Sequence, residues 1–282
     1  MEAPSKDSLI GRRFGQLVVI DVFQKFSGNQ VRKFARCACT CGKQKDICGY
    51  SLERGNTTSC GCYAKAQRLL GTSKYNYNTQ FFREAAPEAQ YTLGLILTDG
   101  NLHRNKNIFS ITLHQEDIHV LKQVGFLVRG DDTLHFPVKS NCVTLYCTNS
   151  ELYSDLCGLG FTPNKSTSTS IPTQLQSSSH FWRGVIDGDG SLFISGNYLY
   201  LSMCGTRAVC QSFLDCTRSI GIQTKAKVRP KKGYSFEFCE TQLSGTAAYR
   251  FAKFIYQDAG NLRIDRKYQA YWSYKQMKYP NE

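Results

Sequence analysis

The sequence holds no apolar run approaching the ~18 residues that a membrane-spanning helix needs. Its opening, MEAPSKDSLIGRRFG, has no apolar stretch of the kind an export signal carries, so a cytoplasmic protein without membrane contact is expected. Histidine is scarce. His103, His114, His119, His135 and His180 are scattered, and no two form a metal-binding pair on one helix, which argues against histidine-rich metal hydrolases. Acidic residues are also in short supply, 22 Asp and Glu against 35 Lys and Arg, leaving a formal net charge of +13 that favours a polyanionic partner.

That excess is unevenly spread. Residues 1–80 carry 13 Lys and Arg against 5 Asp and Glu, residues 81–177 carry 7 against 9, and residues 178–282 carry 15 against 8. Phosphate contacts are therefore expected from the first region and the last third. Cysteine is abundant, at 13. An odd number without an export signal reads as free thiols and metal ligands in a reducing compartment.

From residue 84 onward the chain repeats itself. LGLILTDGNL (93–102) aligns with RGVIDGDGSL (183–192), and each is followed by a strand-like run, a helix-like run, a second strand-like run and another helix-like run. Each copy closes on a basic segment, TPNKSTS (162–168) or LRIDRKY (262–268), which puts Lys165 and Lys267 in matching places. Small residues stand four apart before each turn, Gly94 and Thr98, then Gly184 and Gly188, and so share a helix face where two backbones can approach. Helices packed by that face would bring Asp99 and Asp189 side by side at their C-terminal ends. Adjacent carboxylates repel unless a cation lies between them, which points to a divalent metal, Mg²⁺ being the expected one. The glycine after each aspartate is expected to supply left-handed backbone for the turn into a strand.

TLGLILTDG and WRGVIDGDG resemble the two signature helices of the LAGLIDADG homing endonucleases in their single-chain form. KYNYNTQFFREAAPEAQYTLGLILTDG, GFTPNKS, HFWRGVIDGDGSL and LRIDRKY extend the likeness over roughly residues 75–275, in the manner of phage and bacterial members. The resemblance implies an α+β fold of two pseudo-symmetric αββαββα units making a β-saddle, and a monomer with internal pseudo-two-fold symmetry. It also implies double-stranded DNA cut across its minor groove with divalent metal, and a phage-encoded protein acting in a bacterial cell, whether its gene lies in an intron or stands free. It carries Asp99 and Asp189 over as metal ligands, and Lys165 and Lys267 as catalytic cations beside the scissile phosphates, with Arg266 competing with Lys267. Asp187 is expected to be structural. Intron RNA, as for a splicing maturase, and a non-cleaving DNA-binding regulator are the alternative readings.

Base and phosphate contacts are expected from HRNKN (103–107), through Arg104 and Lys106, and from KAKVRPKKGYSFEF (225–238), through Lys225, Lys227, Arg229, Lys231 and Lys232. In the first region, RCACTCGKQ and SCGCY place Cys37, Cys39, Cys41, Cys60 and Cys62 within 26 residues, enough thiolates for a tetrahedral Zn²⁺ with one left over. GRRFGQLVVI with CACTCG and GNTTSCGC resembles a small zinc-binding module at the N-terminus of many phage-encoded endonucleases, which implies Cys39, Cys41, Cys60 and Cys62 as ligands and Cys37 as the alternate. The expected organisation is a zinc-binding DNA-contact module (1–63), a linker or arm (64–80), a first repeat (81–177) and a second repeat (178–282).

Overall fold

A computed structural model describes residues 9–27, 30–62, 75–104, 106–137, 140–163, 171–233 and 238–281. They fall into two compact units, one ending at Cys62 and one beginning at Tyr75. The fold class read from the sequence is the one observed: α+β, with a small β-rich unit followed in the chain by two like repeats.

The first unit is an antiparallel meander of β1 (Arg13–Phe14), β2 (Leu17–Ser27), β3 (Gln30–Cys39) and β4 (Gln44–Cys48), closed by the short helix α1 (Gly49–Glu53). Its core is small: Leu9, Leu17, Val19, Ala35, Cys37, Ile47 and Leu52. A core that small supplies little of the free energy a fold needs, so a covalent or metal cross-link is the expected supplement.

The second unit starts with α2 (Pro87–Asp99). Proline in its first turn and Glu88 near its positive end suit a helix start. Tyr91 to Leu97 are all buried, the pattern of a helix surrounded by protein. The hairpin β5 (Gly100–His103) and β6 (Ile108–His114), helix α3 (Ile118–Arg129), β7 (Cys142–Thr148) and α4 (Ser150–Gly158) complete the first repeat. The second opens with α5 (Ser179–Asp189), whose first turn is capped by Ser178 Oγ accepting from the Phe181 N–H at 3.0 Å. It continues through β8 (Ser191–Ser195), β9 (Tyr198–Thr206), α6 (Arg207–Ser219), β10 (Arg229–Pro230), β11 (Phe238–Ser244) and α7 (Gly245–Tyr256). A further helix, α8 (Asp265–Lys278), covers the segment read from sequence only as a basic ending.

The two sheets share one plan. Strand order is β10-β11-β9-β8 in the second repeat and β7-β6-β5 in the first, all antiparallel. Among the described residues, the place of β10 is taken in the first repeat by a bridge from His135 to Thr144. A continuous core runs through α2 and α5, with Trp182, Phe213 and Phe251 meeting edge to face at 4.8–6.4 Å.

Two expectations are corrected here. Residues 75–80 are not linker: the Tyr77 hydroxyl accepts from the Thr148 N–H at 2.8 Å, the Asn78 N–H donates to the Val128 carbonyl, and the Arg129 guanidinium lies 4.3 Å from the Tyr75 ring. Residues 64–74 lie outside the described residues. Gly100 and Gly190 are not left-handed but extended, with φ of −89° and −80°. Close approach explains them instead, since a Cβ on Gly100 would sit 2.5 Å from Ile96 Cα, and one on Gly190 would sit 2.8 Å from Ile186 Cα.

Candidate functional site

Helices α2 and α5 touch backbone to backbone. A Cβ on Gly94 would lie 2.8 Å from Gly184 Cα, and one on Gly184 would lie 3.0 Å from Gly94 Cα, so any larger residue would force the helices apart. One turn on, Thr98 faces Gly188. A Cβ on Gly188 would meet the Thr98 side chain and Asp99 Oδ2, which places the Asp99 carboxylate against the residue preceding Asp189. The crossing thus brings together Gly94, Thr98, Gly184, Gly188 and the Asp99 carboxylate, with Asp189 next in the chain after Gly188. Asp99 is half-buried, with Thr98 Oγ1 3.0 Å from its Oδ2; Asp189 is exposed.

Beneath the acids lies a buried polar network. Asp187 is fully buried and accepts from Tyr91 Oη at 2.9 Å, Tyr256 Oη at 2.6 Å and the Ile264 N–H at 2.9 Å. Burial raises its pKa, and these hydrogen bonds oppose the rise. Arg183, also buried, donates to the carbonyls of Leu262 and Ile255 at 2.9 and 3.2 Å and lies 5.0 Å from the Tyr91 ring. An arginine inside the apolar run FWRGVI is the sequence signal that could have disclosed this network.

Lys267 is a correction. Its ammonium does not stand open to a phosphate: it is buried and donates to the carbonyls of Ile186, Asp187 and Gly188 at 2.8, 2.6 and 3.3 Å, capping the C-terminal end of α5. Burial pulls its pKa down to about 8, against the opposing pull of Asp187. Its favourable place at the negative end of a helix explains why the chain keeps a cation there. Arg266 is held by Asp117 at 3.3 Å. Lys165 lies outside the described residues.

From Asp189 a groove of about 560 Å³ runs over the open face of the second sheet, lined among others by Ser202, Lys227, Arg229, Lys231, Glu240 and Gln242. Lys231 Nζ donates to Cys204 Sγ at 3.2 Å on that face. Lys225 and Lys232 are exposed but not in the lining. Arg104 and Lys106 are exposed at the β5–β6 turn rather than on a strand. The corresponding rows of the first sheet are neutral, with Thr112 and Thr144 hydroxyls 2.9 Å apart and His103 Nε2 3.1 Å from Ser110 Oγ.

In the first unit the sulfurs of Cys39, Cys41, Cys60 and Cys62 all lie within 4.8 Å of one another. Cys39 and Cys62 are 3.6 Å apart, and Cys41 and Cys60 are 3.3 Å apart. Four thiolates about 2.3 Å from a tetrahedral Zn²⁺ would be separated by about 3.8 Å, so this donor set fits that ion. Hydrogen bonds from the backbones of Cys41 and Cys60 draw the Cys39 thiol down to about 6, whereas burial and the neighbouring cysteines push Cys62 up to about 12. Cys37 points elsewhere: it is buried in the core, its thiol 3.6 Å from the Ala35 carbonyl.

No family model and no curated protein matches this sequence. Solved structures do. The LAGLIDADG homing endonuclease I-LtrWI bound to target DNA is similar with a TM-score of 0.46 and 11% identity, over 71% of this chain and 92% of that one. I-WcaI bound to its DNA recognition sequence gives 0.45 and 12%, over 73% and 96%. A mesophilic variant of the homing endonuclease I-DmoI gives 0.45 and 15%, over 61% and 96%.

Proposed function

We propose that the protein is a site-specific double-strand DNA endonuclease of the homing type, acting as a monomer with Asp99 and Asp189 as ligands to Mg²⁺. The observation that supports this reading is the crossing at Gly94 and Gly184, which sets the Asp99 carboxylate against Gly188, the residue before Asp189 in the lining of a basic groove. Two hard oxygen donors with room left for water and phosphate oxygens suit Mg²⁺. The chemistry a divalent ion supplies at such a place is a more acidic water and charge neutralisation at phosphorus. The chain's own part is positional. Glycine at 188 lets the Asp99 carboxylate reach across the crossing, Lys267 fixes the end of the Asp189 helix, and the Asp187 network ties that helix to α2 and α7. Lys227, Arg229 and Lys231 hold DNA along the second sheet, with Lys225, Lys232, Arg104 and Lys106 as outer phosphate contacts. Zn²⁺ at Cys39, Cys41, Cys60 and Cys62 would staple the first unit.

The test is cleavage of supercoiled DNA carrying the uninterrupted insertion locus, in Mg²⁺ and in Ca²⁺, beside the Asp99→Asn and Asp189→Asn variants. A single Mg²⁺-dependent double-strand break lost in both variants supports the reading. Cutting that survives both substitutions overturns it, and binding without cutting by the unaltered protein makes intron RNA the next ligand.

A further inference from the structure

The β2–β3 hairpin is longer than the unit that carries it. Strand β4 pairs with β3 only as far as Phe34, yet β2 and β3 remain in register through Gln24–Lys33, Lys25–Arg32 and Phe26–Val31. None of these residues is buried. A two-stranded ribbon without a packed face is marginal in water, so this extension gains nothing for the fold.

Its composition is specific. Phe26 and Val31 are cross-strand partners at the far end, 76% and 52% exposed. Side chains alternate across a strand, so this apolar pair shares a face with Lys33, while Lys25 and Arg32 stand together on the other. Residues 9–62 as a whole carry nine Lys and Arg against three Asp and Glu. An apolar pair with Lys33 on its own face and Lys25 and Arg32 on the other suits a protein interface poorly, because interface cores shed charge. It suits a nucleic-acid groove well, where a phosphate wall flanks each side of an inserted ribbon and an apolar side chain can wedge between stacked base pairs.

We propose that this hairpin is a DNA-bending arm: Phe26, backed by Val31, wedges into a base step from the minor groove of duplex DNA while Lys25, Arg32 and Lys33 hold the flanking phosphates. This deepens the DNA-binding part of the function proposed above, and it is read by bending rather than cutting. A protein that bends DNA but never cuts would overturn the nuclease reading and leave the arm standing.

The experiment uses the full chain with Asp99→Asn and Asp189→Asn, and a mixed-sequence duplex carrying a fluorescence donor and acceptor at its two ends. Binding is expected to raise energy transfer. Phe26→Ser should abolish that rise and weaken binding about tenfold, whereas Phe26→Leu, still an apolar wedge, should keep most of both. Arg32→Ala should lower the slope of log affinity against log salt by about 0.9 while leaving the bend. Phe26 is exposed, so none of these changes threatens the core. Bending and affinity unchanged in Phe26→Ser would overturn the proposal, as would a duplex left straight by the unsubstituted hairpin. Loss of affinity in Arg32→Ala alone would reduce the hairpin to a phosphate contact and overturn the wedge.

Discussion

The two repeats of the second unit share a plan and differ in chemistry. Each runs from a buried helix ending in aspartate into a hairpin, a covering helix, a further strand and a closing helix. In the second repeat the outermost strand is β10, and Arg229 on it stands in register with Glu240. In the first, among the described residues, that strand shrinks to the His135–Thr144 bridge, and the sheet rows hold hydroxyls and imidazoles in place of cations. The helix ends differ as well. That of α5 is capped from outside by Lys267, while Thr98 at the end of α2 is hydrogen-bonded within its own helix and to Asp99. A shared scaffold has been kept where the helices must cross and has diverged where ligand would lie, so the halves of a bound site should contribute unequally.

The largest effects should come from what the repeats share. Asp99→Asn and Asp189→Asn should each lower double-strand cleavage by about 10²–10³-fold, measured under single-turnover conditions with binding checked separately. Equal losses would sharpen the picture of one composite centre, whereas loss in only one would break it. Gly184→Val should cost about 3 kcal/mol or more in denaturant unfolding, because the intruding side chain meets backbone that cannot yield. Lys267→Met tests the cap seen on the second repeat's helix. Three α5 carbonyls would lose their donor, for about 2 kcal/mol of stability. A variant as stable as the parent would show that water caps the helix equally well.

The sequence disclosed this plan where one residue pattern has one physical use. Small residues four apart followed by Asp-Gly require two helices to approach, and the four sulfurs of CTCG and SCGC do converge. It misled where a pattern has two uses. Glycine after a helix serves a left-handed cap or a tight approach, and Gly100 and Gly190 serve the second. A lysine in a basic segment reads as solvent-facing, yet Lys267, on α8, is buried against the end of α5. The Tyr91–Asp187–Tyr256 network was out of reach, because its partners lie 96 and 69 residues apart and only the folded chain pairs them.

The smallest effect is also the most discriminating test of the unlike halves. Arg229 lines the groove with Asp189 and, in the role proposed for it, should release about one counterion on binding DNA. Arg229→Ala is then expected to flatten the dependence of log affinity on log salt by about 0.9. Thr144→Ala, on β7 at the place Glu240 takes on β11, removes a hydroxyl that meets Thr112 and no charge. It should leave the slope unchanged even if affinity falls. A slope altered by Thr144→Ala would show phosphate contacts depending on the neutral half. An unaltered slope in Arg229→Ala would mean that its guanidinium reads a base edge, or stays with Glu240, rather than holding the backbone.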